Sequence, residues 1–210
     1  MLESVGMIET TSIGLGYAAQ DAMLKAADVR LLLARTICSG KYIVAVTGPV
    51  AEVSAAVDAG IAALPEGLID HAVIPRIHPT VFQALGQAVE LHVPLTINGA
   101  AADGSATNGA VADGSAPNAA GPKALGVIET FSGVSILEAA DAAAKAAAVQ
   151  LICVHLAMAL GGKGYLLMAG AVADVQTAVH AAAEVVRRKG LLVSSVAIPG
   201  PSRELFAEYL

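Results

Sequence analysis

The sequence predicts an α/β (α+β) fold of two tandem ferredoxin-like domains, each of βαββαβ order, and three observations predict it. The first is an internal repeat. Gly6 to Thr10 reads G-M-I-E-T and returns as G-V-I-E-T at Gly126 to Thr130, an offset of 120 that also carries Ser12, Asp21, Lys25 and Val29 onto Ser132, Asp141, Lys145 and Val149. Beyond Thr36 the offset becomes 122, so that Gly40-Lys41 matches Gly162-Lys163 and Val53 matches Val175. The second is the same order of elements in both copies. The third is composition: 56% of the 210 residues are hydrophobic and 14% charged, yet there is no Trp and only three Phe and four Tyr. Such a chain fills its core with many small side chains, and the apolar surplus needs subunit interfaces to cover it.

In the first copy the extended stretch Val5 to Thr10 precedes an Ala-rich helix from about Tyr17 to Ala27, whose apolar residues recur at helical spacing. Two strands, Val29 to Ile37 and Tyr42 to Thr47, then flank the short turn T-I-C-S-G-K in the pattern of a hairpin. Pro49 opens a second helix running to about Leu64, at a position where its missing N–H costs little. A last strand, Leu68 to Ile74, ends near Pro75, and a short helix follows Pro79. The domains are taken as 1–86 and 124–210. Between them, 87–123 is read as a linker or loop: Asn98 to Lys123 repeats Gly, Ala, Ser, Asn and Asp at a period of ten, with nothing to fill a core. The alternating Val89, Leu91, Val93 and Leu95 before it suit an edge strand.

Several functions are excluded. Mean hydropathy is +0.68, but the longest apolar run, Val149 to Leu160, is broken by Gln150 and His155 and is too short to span a bilayer, so no membrane partner is expected. The start M-L-E-S-V-G shows no basic leader, so a cytoplasmic protein is expected. A net charge of −6 argues against nucleic acid. His71, His78, His92, His155 and His180 form no metal-binding pattern. G-G-K-G-Y fails as a phosphate loop, because Ala157 and Gly164 stand where Gly and Ser or Thr are required. Glu9 and Glu129 recur at equivalent strand ends without an adjacent His or Lys, which suits bonding to backbone or to a neighbouring subunit. No catalytic residues and no enzyme activity are expected.

Taken together, G-M-I-E-T, D-A-M-L-K-A-A, the G-K hairpin turn, V-T-G-P-V-A-E-V and I-P-R-I-H-P resemble the bacterial microcompartment shell domain, and the second copy supplies G-V-I-E-T, D-A-A-A-K-A-A, G-G-K-G-Y, A-G-A-V-A-D-V and A-I-P-G-P. The chain is similar to the tandem, non-permuted trimeric class of that family. The resemblance implies a homotrimer of pseudohexameric outline that tiles a cytoplasmic shell with other shell proteins around encapsulated enzymes. It places Ile37, Cys38, Ser39 and Gly40, with Ala159, Leu160, Gly161 and Gly162 from the second copy, around a central pore that conducts small metabolites. It puts Lys25, Lys145 and Arg76 at tile edges. His78 suits a structural or surface role.

Cys38 has three readings. It is a small buried hydrophobe, a cysteine lining an open pore, or, as in a trimeric shell protein with a similar loop cysteine, one of three thiolates at the threefold axis holding a 4Fe-4S cluster for electron transfer across the shell. Ser39 departs from that protein, which has proline there. Cys153 falls on Leu33 by the repeat and is read as core. Outside the shell family, the alternative is a cytosolic ferredoxin-like trimer that binds a ligand or regulates.

Overall fold

A computed structural model describes residues 4–86, 95–97, 100–102, 123–157, 160–202 and 205. Strand β1 (Ser4–Thr10) leads into α1 (Ile13–Ala26), the hairpin β2 (Arg30–Ile37) and β3 (Lys41–Gly48), α2 (Val50–Ala62), β4 (Leu68–Ile74) and α3 (Pro79–Gly86). The short strands β5 (Leu95–Ile97) and β6 (Ala100–Ala102) follow. The second copy consists of β7 (Ala124–Thr130), α4 (Gly133–Ala146), β8 (Gln150–His155), β9 (Gly164–Gly170), α5 (Val172–Arg188) and β10 (Leu192–Pro199).

Each copy forms one antiparallel four-stranded sheet. The orders are β2-β3-β1-β4 and β10-β7-β9-β8, the same arrangement read from opposite edges and the ferredoxin-like order expected. The register repeats too: Glu9 faces Ile43 and Asp70, and Glu129 faces Tyr165 and Ser194. Both first helices begin earlier than their apolar spacing suggests, because a serine caps each one. Ser12 Oγ accepts from Leu15 N, and Ser132 Oγ accepts from Val134 N and Ser135 N. Of the expected edge strand only Leu95 is described, at the start of β5, which pairs with β6; Val89, Leu91 and Val93 lie outside the described residues. The rest of the 87–122 segment lies outside the described residues.

Small residues let the layers approach closely. A Cβ on Gly6 would sit 2.6 Å from Val57, and one on Gly126 would sit 2.9 Å from Val179, so helix and sheet pack where the strand carries no side chain. One core cluster, with Ile8, Met23, Tyr42 and Val57, lies beneath α1 and α2. A larger one is shared by both copies: Met7, Leu33 and Ile74 on the other face of the first sheet join Val134, Leu137 and Ala140 of α4. The two halves therefore meet across a continuous apolar seam, in which β1 and β4 of the first copy pack against α4 of the second.

Candidate functional site

The hairpin turn that holds Cys38 is a tight three-residue turn over Cys38–Gly40, closed by the Ile37 to Lys41 pairing. Ser39 has φ +66° and Gly40 φ +73°. Glycine adopts this left-handed region freely, whereas a serine there carries a steric cost. Proline, with φ fixed near −65°, cannot adopt it. The departure at Ser39 thus belongs to a differently shaped turn, which a proline would not permit. Ser39→Gly is expected to raise stability by about 1 kcal/mol, read as a higher thermal midpoint; an unchanged midpoint would show that the turn carries no such strain.

The cysteine turn and its counterpart in the second copy lie side by side. Cys38 N donates to the Ala157 carbonyl at 3.2 Å, and a Cβ on Gly162 would sit 3.1 Å from Lys41 Nζ. Ser39 and Gly40 are exposed, Cys38 is half-buried, and Leu160 and Gly161 are exposed on the neighbouring loop. The structure thus brings together most of the residues expected around a pore. Ile37 points into the core at 5% exposure, while Gly162 is buried against Lys41. Ala159 lies outside the described residues. Cys38 and Cys153 form no disulfide. Cys153 is half-buried beside Leu125, Ile152 and Leu167, and burial pushes its thiol pKa up despite a hydrogen bond with Tyr165.

Beside the turns, the seam between the copies is built on Glu9. This carboxylate is fully buried. Oε1 accepts from Lys41 Nζ at 3.0 Å, and Oε2 accepts from Gly133 N at 2.9 Å, at the first turn of α4. The single hydroxyl proton of Ser132 lies between Glu9 Oε2, at 2.9 Å, and Asp70 Oδ2, at 2.7 Å. A carboxylate at this point complements the free N–H groups and positive end of the helix. The sequence reading that the repeated glutamates lack a lysine is corrected here. Lys41 stands 32 positions from Glu9, and Lys163 stands 34 from Glu129 at 2.9 Å, but the β1–β3 and β7–β9 pairings bring each together.

Farther along the same seam is a group the sequence did not single out. Asp70 Oδ2 accepts from Ser135 Oγ at 2.6 Å, and Oδ1 accepts from Lys189 Nζ at 3.0 Å; Lys189 also pairs with Glu138. Burial raises the Asp70 carboxyl, but hydrogen bonds from Ser135, Ser132 and Lys189 outweigh it and hold the group below the usual aspartate range. Glu138 is pushed up, chiefly by burial, and the bonds and charges of Glu138 and Asp70 raise Lys189 against its own desolvation. At the outer end of the seam His78 N donates to Asp141 Oδ1 at 2.7 Å. Lys145 Nζ bonds Asp141 and the carbonyl of Pro75, one residue from Arg76. Two of the three expected edge residues, Lys145 and Arg76, therefore stand close together where the halves meet. Lys25, 74% exposed, bonds Asp21 on its own helix.

Among the described residues no group of three His, Cys, Asp or Glu is placed to hold a metal within one chain, and no helix is long and apolar enough to cross a membrane. The BMC domain matches residues 4–77 and again 124–201. The microcompartment shell protein PduT of Citrobacter freundii is 35% identical over 208 residues, which cover 99% of this chain and 98% of that protein. The microcompartment shell protein PduA of the same organism is 41% identical over 90 residues, 41% of this chain and 96% of its own length. A crystal structure of a microcompartment protein from Desulfitobacterium hafniense superposes with a TM-score of 0.72 at 38% identity, covering 99% of both chains. The repeated G-x-I-E-T strand, the paired ferredoxin-like sheets and these matches agree, and the chain belongs to the BMC-domain family of bacterial microcompartment shell proteins, with two copies of the domain in tandem.

Proposed function

We propose that the protein is a structural tile of a microcompartment shell in the bacterial cytoplasm, that three copies close into a pseudohexameric ring, and that it catalyses no reaction. One observation carries the ring: the two surfaces that meet inside the chain are both left open again on its outer sides. Leu137 of α4 is fully buried against the first half, whereas its counterpart on α1, Tyr17, is 60% exposed. Ala72 of β4 is 5% exposed, whereas its counterpart on β10, Val196, is 44% exposed. An α1 face seeking a β4-like edge and a β10 edge seeking an α4-like face satisfy each other between copies. Repeating one heterologous contact closes a ring when the rotation allows it. Six domains of alternating kind need three chains. Light scattering should give the mass of a trimer, and a stable monomer at all concentrations would reject the ring.

In such a ring the adjoining turns at Cys38 and Leu160 alternate around the axis and line a pore for small metabolites. A 4Fe-4S cluster fits this chain only when shared. One chain offers a single thiol in the turn, and three copies offer three, with one iron left to another ligand. Cys38 would hold it, and the cluster would supply a one-electron site at the shell wall. The other shell proteins of the compartment are the partners expected at the tile edges, with the encapsulated enzymes on the inner side. For the edges, Lys25→Ala combined with Lys145→Ala is expected to leave the ring intact, since the exposed Lys25–Asp21 pair adds little to folding and Asp141 keeps His78 N as a donor when Lys145 is lost. The same change should sharply reduce extended sheets in electron micrographs of overexpressing cells. Sheets of unchanged extent would remove the lysines from the edge and favour a ligand-binding trimer without a shell.

A further inference from the structure

The two kinds of seam in the proposed ring are not chemically alike. Resting on that ring, we propose that Glu129 is a polar anchor between copies, its carboxylate seated on Ser12 Oγ and Ile13 N of the next copy. The template is the contact already made inside the chain. Glu9 is tied at Oε1 by Lys41 and uses Oε2 to take Ser132 Oγ and Gly133 N. Glu129 is tied in the same way at Oε1 by Lys163, at 2.9 Å, while its Oε2 has Ser194 Oγ at 3.3 Å and the side chain is 32% exposed. On the opposite surface, Ser12 and Ile13 stand where Ser132 and Gly133 stand, half-buried and exposed respectively, at the start of a helix whose first N–H groups have no partner in the helix. The anchor and its receiving site are thus both present, on the two faces whose apolar residues are uncovered.

The rest of the seam differs. The Thr11 to Gly67 and Phe131 to Leu191 backbone bonds align the two copies so that Lys189 corresponds to Pro65. The sheet registers align Asp70 with Ser194, and the helices align Ser135 and Glu138 with Leu15 and Ala18. The contact between copies therefore has no counterpart of the Asp70, Lys189 and Glu138 network. This makes each edge selective. Were β4 to dock on an α1 face, Asp70 would lose the Ser135 hydroxyl and the Lys189 ammonium to Leu15 and Pro65, and would keep only His71 N and a serine proton shared with Glu9, a cost for a buried carboxylate. First copies are thereby kept from pairing with first copies, and the two domain types alternate.

The test is sedimentation of the full chain over a dilution series. Glu129→Gln keeps the shape but loses the charge-assisted bonds to the helix end, and the ring is expected to dissociate at a protein concentration at least about tenfold higher than wild type. Ser12→Ala, on the receiving side, should act in the same direction, and the double variant should be weakened by less than the product of the two factors, because both remove one contact. Ser12→Ala keeps the test available even if Glu129→Gln compromises folding. Wild-type dissociation in both single variants, or strictly multiplicative effects in the double, would overturn the anchor while leaving the ring standing. A wild type that never trimerises would overturn the ring itself.

Discussion

Glu9→Ala is expected to lower stability by about 3 kcal/mol, a fall of roughly 10 °C in thermal midpoint for a chain of this size. The reason is what the alanine leaves behind. Gly133 N loses an acceptor in a fully buried position, the Ser132 hydroxyl proton is left with Asp70 as its acceptor, and the Lys41 ammonium, 20% exposed, loses its carboxylate. Removing one partner of a buried pair costs more than the pair contributes, because the groups left behind are desolvated and unsatisfied. The loss falls on the junction of the two halves, so calorimetry should show the single transition broadening or splitting as the copies uncouple. Glu129→Ala, at the more exposed equivalent site, should have a clearly smaller effect on the unfolding of the separated chain. A midpoint unchanged by Glu9→Ala would mean that the seam is held by its apolar core alone.

Cys38→Ser is expected to abolish the iron content and visible absorption of protein reconstituted anaerobically, while the ring persists. Serine keeps the size of the side chain and removes the thiolate that iron–sulfur clusters require. The fold does not depend on this residue, since Cys38 is half-buried in a surface turn and its backbone N–H, not its side chain, makes the bond to Ala157. Cys153→Ser should retain the iron but lose some stability, because it places a hydroxyl beside Leu125, Ile152 and Leu167. Equal iron in wild type and Cys38→Ser would reject the cluster at this residue and leave the turn as the rim of an open pore.

The sequence by itself determined the two copies and their element order, because hydrophobic period and the Gly48-Pro49 break are local signals that need no knowledge of the rest of the chain. It also located the cysteine turn, since the change of offset from 120 to 122 falls at that hairpin. Only the tertiary structure decided what the repeated glutamates do. Glu9 finds Lys41 through strand pairing and Gly133 through docking of the halves, 124 positions away, and no spacing rule links residues so separated. Asp70, Glu138 and Lys189 were invisible for the same reason: each reads alone as an ordinary surface charge, and the opposite copy has Ser194, Ala18 and Pro65 respectively where a repeat would have marked them. The handedness of Ser39 is likewise a product of closing the Ile37 to Lys41 hairpin over three residues, a backbone constraint that the letters T-I-C-S-G-K do not record.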